Sequence, residues 1–130
     1  MNHQEIAEIL DQAARHARPT SQLAATHQID LDAAYQIQNL CVGKKLDRGE
    51  YVTGYKLGFT NRARMEEMGV HDLIWGVLTN SMQILNQEEV DAKRWILPRA
   101  EVEIAFRISK DIEESVGLKD ITSYIDKMAP

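Results

Sequence analysis

Two glutamates separated by a single residue, Glu101 and Glu103, have the spacing that most directly predicts chemistry in this sequence. They lie in the run PRAEVEIAF, residues 98–106, which we interpret as part of a β-strand over residues 100–109. Side chains alternate between the faces of a strand, so both carboxylates would point the same way, roughly 7 Å apart. In a closed site these like charges would repel and raise one pKa. We therefore expect either water or a bound cation between them.

The glutamate pair has two interpretations. An antiparallel strand with one face in water would carry both carboxylates on its solvated side, and the spacing alone favours this structural explanation. Alternatively, both carboxylates bind a hard divalent cation. Oxygen ligands with no cysteine or histidine beside them favour Mg²⁺ or Mn²⁺ over zinc. Because Mg²⁺ retains several waters, positions would remain open for an oxygen-rich substrate.

Lys56 is the second candidate for chemistry. It lies in YVTGYKLGF, residues 51–59, whose alternation predicts a strand with Gly54, Lys56 and Gly58 on one face. Because glycine has no side chain, a ligand could approach the backbone closely there, with the ammonium group as its anchor or proton donor. The structural alternative is a solvent-facing lysine on an edge strand, where lysine discourages aggregation. Without further information the strand position of Lys56 favours that alternative.

The elements that must position these residues alternate between helical and strand-like patterns. In chain order they are a helix at 3–17, a helix from Asp30 or Asp32 to Gly49, a strand at 51–59, a short helix at 61–69 capped by Thr60, a strand at 74–78, a strand at 100–109 and an amphipathic helix at 118–129. Two helices followed by mixed strands and helices predict an α+β domain.

Composition and charge restrict the class of protein. The chain has 130 residues, of which 44% are hydrophobic and 27% charged, as in ordinary globular domains. Its net charge of -5 argues against nucleic acid or an anionic membrane as the main partner. The single cysteine, Cys41, excludes an internal disulfide and a thiolate metal cluster. Neither a secretion signal nor an apolar run of membrane-spanning length is evident, so we expect a cytoplasmic protein.

Three motifs in order resemble those of a known enzyme family. GYKLGFTNRARMEEMGV (54–70), IWGVLTNSM (74–82) and LPRAEVEIAF (97–106) are similar to motifs of the 2-hydroxypentadienoate (2-keto-4-pentenoate) hydratase and 4-oxalocrotonate decarboxylase family. That family belongs to the fumarylacetoacetate hydrolase superfamily. AYQIQ (34–38) is also similar to an N-terminal motif of these enzymes. The resemblance spans most of the chain, and its specificity comes from the order of the motifs.

The resemblance implies a role for each candidate residue. Glu101 and Glu103 match the family's paired Mg²⁺-binding glutamates, and Lys56 matches the active-site lysine of its glycine-flanked strand. Gly58 and Ile74 are weaker candidates for substrate binding. The implied cofactor is Mg²⁺ or Mn²⁺, and no residues for an organic cofactor are implied.

The implied reaction belongs to the meta-cleavage degradation of aromatic compounds, on a small 2-oxo or 2-hydroxy dienoic acid. Hydratases of the family usually carry an acidic residue where this chain has Ile74, which favours 4-oxalocrotonate (2-oxohex-3-enedioate) decarboxylase over 2-hydroxypenta-2,4-dienoate hydratase. Family members form oligomers, so the implied partner is a second copy or a related hydratase or decarboxylase. Neither nucleic acid nor a membrane is an expected partner.

Length is the main departure from the family, whose members are about twice as long and supply a third carboxylate ligand beyond a helix like residues 121–130. We therefore expect residues 1–130 to form a single truncated domain, the N-terminal half of such an enzyme, inactive or nearly so alone. Residues 1–50 would form the helical layer, and residues 51–130 the start of the catalytic sheet or roll of the fumarylacetoacetate hydrolase type. Asp120 and Asp126 are weak substitutes for the missing ligand. An alternative is a non-catalytic relative that acts as an oligomerisation partner.

Overall fold

The computed structural model describes residues 1–69, 71–113 and 115–130, so Val70 at the end of the first motif lies outside the described residues. The chain divides into two compact units, residues 1–96 and 97–130. The first contains α1 (His3–Arg15), α2 (Leu31–Asp47), β1 (Val52–Gly58), α3 (Arg62–Glu67) and β2 (Ile74–Thr79), and the second contains β3 (Ala105–Ile108) and β4 (Ile125–Ala129). This mixture of helices and strands confirms the predicted α+β class.

The two long helices begin where side chains cap their first backbone N–H groups. Asn2 and Glu5 form a reciprocal capping box at the start of α1. The Asp30 carboxylate accepts a hydrogen bond from the Ala33 N–H at the start of α2, which decides between the two predicted caps. The helices pack around a small apolar core at Ile6, Ala7 and Ile37, as expected for an amphipathic layer.

A buried ion pair joins the same two helices. The Asp11 side chain is 4% exposed, and both of its oxygens accept hydrogen bonds from the Arg48 guanidinium, at 2.9 and 2.8 Å. The hydrogen bond to Asp11 raises the pKa of Arg48 above its ordinary value, against the effect of burial. Because Asp11 lies in α1 and Arg48 directly follows α2, this pair fixes the helices relative to each other.

A hydrogen-bond network closes the open end of the β1–β2 hairpin. The hydroxyl groups of Thr79 and Ser81 both donate to Glu50 Oε2, at 2.6 Å each. Burial opposes ionisation of Glu50, but these two bonds and the charges of Lys45 and Arg48 outweigh it and lower its pKa. The ionised form of Glu50 therefore holds the two ends of the hairpin together.

We expect Glu50→Gln to make the folded chain less stable near neutral pH, by about 1 kcal/mol, and less sensitive to acid. The pKa of Glu50 is depressed by folding, so its contribution is complete above the unfolded pKa of about 4.3 and is lost as the pH falls through the folded pKa. Urea unfolding at a series of pH values measures this. Glu89→Gln, at an exposed glutamate, is the control. Parallel curves for Glu50→Gln and wild type would contradict the prediction.

The second unit differs from the sequence prediction in two places. The strand predicted at 100–109 begins only at Ala105, so Glu101 and Glu103 lie before β3, and their predicted placement on one strand face was wrong. The helix predicted at 118–129 was also wrong, because Ile121–Tyr124 is a short 3₁₀ helix and β4 follows it. β4 pairs antiparallel with β3, and these long-range backbone bonds outweigh a helical apolar spacing.

Candidate active site

Lys56 lies in the middle of β1, and the register with β2 determines what surrounds it. Lys56 is directly opposite Gly76, and Gly58 is opposite Ile74. Directly opposed residues of an antiparallel pair share a face. The face that carries Lys56, called the glycine face below, therefore consists of Gly54, Lys56, Gly58, Ile74, Gly76 and Leu78.

The glycine face is open at Gly54 and Gly76. A Cβ atom placed on Gly54 or on Gly76 would have no neighbour within 4 Å. Ile74 and Leu78 border this space and are 37% and 36% exposed. An ammonium group beside a glycine surface with apolar edges has the chemistry to bind an organic anion.

Gly58 and Ile74, the two weaker candidates, are brought into direct contact. A Cβ placed on Gly58 would lie 2.9 Å from Ile74 Cγ1 and 3.2 Å from Ile74 Cδ1. The Ile74 side chain thus lies over Gly58, two residues along the strands from the Lys56–Gly76 pair. Its position makes Ile74 the apolar boundary at one end of the space beside Lys56.

We expect Gly58→Ala to lower the free energy of unfolding by about 1–3 kcal/mol, since the added methyl group overlaps Ile74. The double variant Gly58→Ala, Ile74→Ala should recover part of that loss, because it removes the overlapping atoms. Gly54→Ala is the matched control and should be neutral or slightly stabilising, since its Cβ has open space. Chemical denaturation of the four proteins checks this. Equal effects of the two single alanine substitutions would show that the contact is absent in solution.

The opposite face of the hairpin is held by α2. The Tyr35 ring stacks on the Trp75 ring at a centroid distance of 5.1 Å. The Trp75 N–H donates to Tyr35 Oη at 3.2 Å, and Gln38 Nε2 donates to the Trp75 carbonyl at 3.1 Å. Tyr35, Gln38 and Trp75 had no role assigned from the sequence. The spacing of Tyr35 and Gln38 within AYQIQ was the available signal, because residues three apart share a helix face.

Glu101 and Glu103 lie in the second unit, in the segment that leads into β3, and both are exposed. Lys56 lies in the first unit, so the structure describes the lysine and the glutamates as parts of separate units. Within residues 1–69, 71–113 and 115–130, no group of three or more His, Cys, Asp or Glu side chains could hold a metal ion. Two carboxylates have the donor chemistry of a hard cation site but not its full number of ligands.

Asp126 is held by an arginine. Arg107 Nε donates to Asp126 Oδ1 at 2.8 Å, and a second guanidinium nitrogen donates to the other oxygen. The hydrogen bonds from Arg107 lower the pKa of Asp126. Because both oxygens accept from Arg107, Asp126 links β3 to β4 and is a poor substitute for a missing metal ligand.

Comparison with known proteins gives a consistent picture, although no protein-family model matches the chain. It is 36% identical over 130 residues to 4-oxalocrotonate decarboxylase from Pseudomonas sp, a match that covers 100% of this chain and 51% of the relative. It is 28% identical over 130 residues to 2-oxo-hept-4-ene-1,7-dioate hydratase from Escherichia coli, covering 98% and 49%. It is 33% identical over 125 residues to 2-hydroxyhexa-2,4-dienoate hydratase from Comamonas testosteroni, covering 93% and 47%.

A solved structure supports the same relationship. 4-oxalocrotonate decarboxylase from Pseudomonas putida G7, complexed with calcium and acetate, matches with a TM-score of 0.90 and 25% identity, covering 98% of this chain and 50% of that chain. Within the described residues, no helix has the length and apolar character needed to cross a membrane. The chain spans about half the length of the relatives it matches. As its motifs predicted, the chain is therefore homologous to one part, about half, of the enzymes in the 4-oxalocrotonate decarboxylase and 2-keto-4-pentenoate hydratase family.

Proposed function

We propose that this chain is the N-terminal half of a metal-dependent 2-oxo acid lyase that decarboxylates 4-oxalocrotonate. The observation that carries the proposal is its 36% identity, along all 130 residues, to a 4-oxalocrotonate decarboxylase. The proposal extends to the fold: both units would belong to one domain whose β-sheet or roll is of the fumarylacetoacetate hydrolase type. A cytoplasmic location remains a prediction of the sequence.

Glu101 and Glu103 are the proposed metal-binding residues, and Mg²⁺ or Mn²⁺ is the proposed ion. The solved relative was complexed with calcium, which supports a hard divalent cation bound by oxygen ligands. The described residues do not supply a cluster of three ligands, so a further carboxylate would come from outside them. When bound, the ion would supply Lewis-acid stabilisation of negative charge on the 2-oxo oxygen of the substrate.

Decarboxylation needs a group that accepts the electron pair at one end of the substrate. It also needs a positively charged side chain that binds the substrate carboxylate. The bond to the departing carboxylate breaks, and its electron pair moves through the alkene to the 2-oxo oxygen. Carbon dioxide leaves, and proton uptake at that oxygen gives a 2-hydroxy dienoate. Lys56 would either neutralise substrate charge or deliver this proton. Gly54 and Gly76 leave room for the flat chain, and Ile74, which lies over Gly58, bounds that room at one end.

Hydration of a 2-hydroxy dienoate is the second candidate. Several relatives of the chain are hydratases, with identities of 28% and 33% in the two cases above. The dienol would be ketonised, and water would then add to the conjugated alkene with the help of a general acid or base. Ile74 favours the decarboxylase, because an isoleucine side chain cannot act as that acid or base.

The second unit exposes large apolar side chains, which supports the proposal that further polypeptide packs on it. Val102 and Leu118 are 96% and 92% exposed, and Phe106 and Met128 are also largely exposed. A two-stranded hairpin with apolar side chains in water is marginally stable by itself. We propose that a segment equivalent to the other half of the relatives packs on it, within a homo-oligomer or an assembly with a related enzyme. A non-catalytic role, in which the chain only docks on such an enzyme, is the alternative of another class.

The test is a fusion of this chain to the half of the Pseudomonas sp decarboxylase that it does not match, assayed with Mg²⁺ and 4-oxalocrotonate. We expect carbon dioxide release by the fusion and none by either half alone. Hydration of 2-hydroxypenta-2,4-dienoate without decarboxylation would favour the second candidate. A folded fusion that converts neither substrate, or full turnover by the homogeneous 130-residue chain, would contradict the proposal.

A further inference from the structure

The outer edge of β2 at Trp75 is closed by two side chains from α2. In an antiparallel strand, the N–H and C=O groups of one residue point to the same side. At Trp75 both groups point away from β1, because Tyr35 Oη accepts from the N–H and Gln38 Nε2 donates to the carbonyl. Tyr35 and Gln38 therefore occupy the backbone groups that an edge strand leaves unpaired.

The hydrogen bonds of Tyr35 and Gln38 to the Trp75 backbone hold the strand that carries part of the glycine face. Trp75 is opposite Leu57, and the neighbouring pairs are Lys56 with Gly76 and Gly58 with Ile74. A shift of the Trp75 backbone would therefore also move its chain neighbours Gly76 and Ile74, which lie opposite Lys56 and Gly58. The stacked Tyr35 and Trp75 rings, 19° from parallel, further restrict such a shift from the opposite face.

Within the described part of the chain, the side-chain amide of Gln38 is only half satisfied, so its contribution to folding stability does not explain its orientation. Its Nε2 group donates to Trp75, while Oε1 is buried and has no hydrogen-bond partner among the described residues. Reversing the amide would bring an oxygen against the Trp75 carbonyl, so the orientation is set by that one bond. A buried oxygen without a partner costs free energy that offsets much of the bond's benefit. Gln38 thus contributes to the position of Trp75 more than to stability.

We propose that Tyr35 and Gln38 are positioning residues that set the location of Lys56 through the Trp75 backbone. The functional meaning of this inference rests on the proposed role of Lys56. The physical coupling does not, because it is a property of the chain without substrate or metal.

The test uses NMR of the ¹³C and ¹⁵N nuclei at the end of the Lys56 side chain, with the signal assigned from a Lys56→Arg sample. The variants are Tyr35→Phe, which keeps the ring and removes the acceptor, and Gln38→Met, which keeps the shape and removes the donor. Gln36→Met is the matched control, because Gln36 lies in the same helix and contacts His3 instead. Thermal unfolding of all four proteins is recorded alongside.

We expect the Lys56 chemical shifts and the pH titration of its amine to change in Tyr35→Phe and Gln38→Met and to stay as in wild type in Gln36→Met. The unfolding midpoint of Gln38→Met should change little, since one hydrogen bond and one buried unpartnered oxygen are lost together. An unchanged Lys56 signal in both variants, with or without a lower midpoint, would overturn the proposal. Failure of the fusion to turn over substrate would leave this result unaffected.

Discussion

Replacing Lys56 by methionine should lower kcat/KM of the fusion for 4-oxalocrotonate by about 100-fold or more. Methionine keeps much of the length and apolar surface of lysine but has neither the charge nor the proton. The glycine face offers no nearby substitute, because Gly54, Gly58 and Gly76 surround the lysine on β1 and β2. The measurement is carbon dioxide release at several substrate concentrations.

Two further variants interpret that loss. Lys56→Arg retains the positive charge but is a poor proton donor, so it should keep most activity if Lys56 only neutralises substrate charge. If Lys56 delivers a proton, kcat/KM of the Lys56→Arg fusion should be as low as that of the Lys56→Met fusion. Lys44→Met is the matched control, because Lys44 pairs with Glu8 between α1 and α2. If the Lys56→Met fusion keeps more than half the original kcat/KM, Lys56 is not an active-site residue.

Arg48→Met should lower the free energy of unfolding by about 2–3 kcal/mol. The change leaves the carboxylate of Asp11 buried without its partner, and the Asp11 side chain is 4% exposed. The expected loss is below that of a fully buried pair because a third of Arg48 is exposed to water, which screens the interaction. Urea denaturation near neutral pH provides the measurement.

The double variant Asp11→Leu, Arg48→Met should be more stable than Arg48→Met alone, because it removes the unpaired buried charge together with its partner. Arg18→Met, at an exposed arginine just beyond α1, is the control and should change stability little. Similar effects of Arg48→Met and Arg18→Met would show that the ion pair contributes nothing in solution.

Local signals predicted most of the first unit, although Asn61 rather than the predicted Thr60 caps α3. Asp30 was a predicted cap because a short acidic side chain before an apolar helical repeat satisfies the first N–H groups, and it caps α2. Alternation placed Gly54, Lys56 and Gly58 on one face, and the register confirms that face. Gly76 opposite Lys56 could not be predicted, because β1 and β2 are joined through α3 and no tight turn fixes their register.

The second unit shows where local signals fail. Ile121, Tyr124, Ile125 and Met128 recur at helical spacing, but aromatic and β-branched residues also favour strands, and pairing with β3 decided the outcome. The same pairing starts at Ala105, which leaves Glu101 and Glu103 outside the strand. The metal-binding role of these two glutamates therefore stays a prediction from the resemblance rather than from strand geometry.

That role is tested most directly by titrating Mn²⁺ into the fusion and following the free ion by EPR. A double variant, Glu101→Gln with Glu103→Gln, is compared with Asp111→Asn and Glu113→Gln, a pair of acidic residues at the same spacing in the same unit. We expect tight Mn²⁺ binding by the fusion and by the Asp111, Glu113 variant, and loss of that binding in the Glu101, Glu103 variant. Equal Mn²⁺ binding by all three proteins would contradict it.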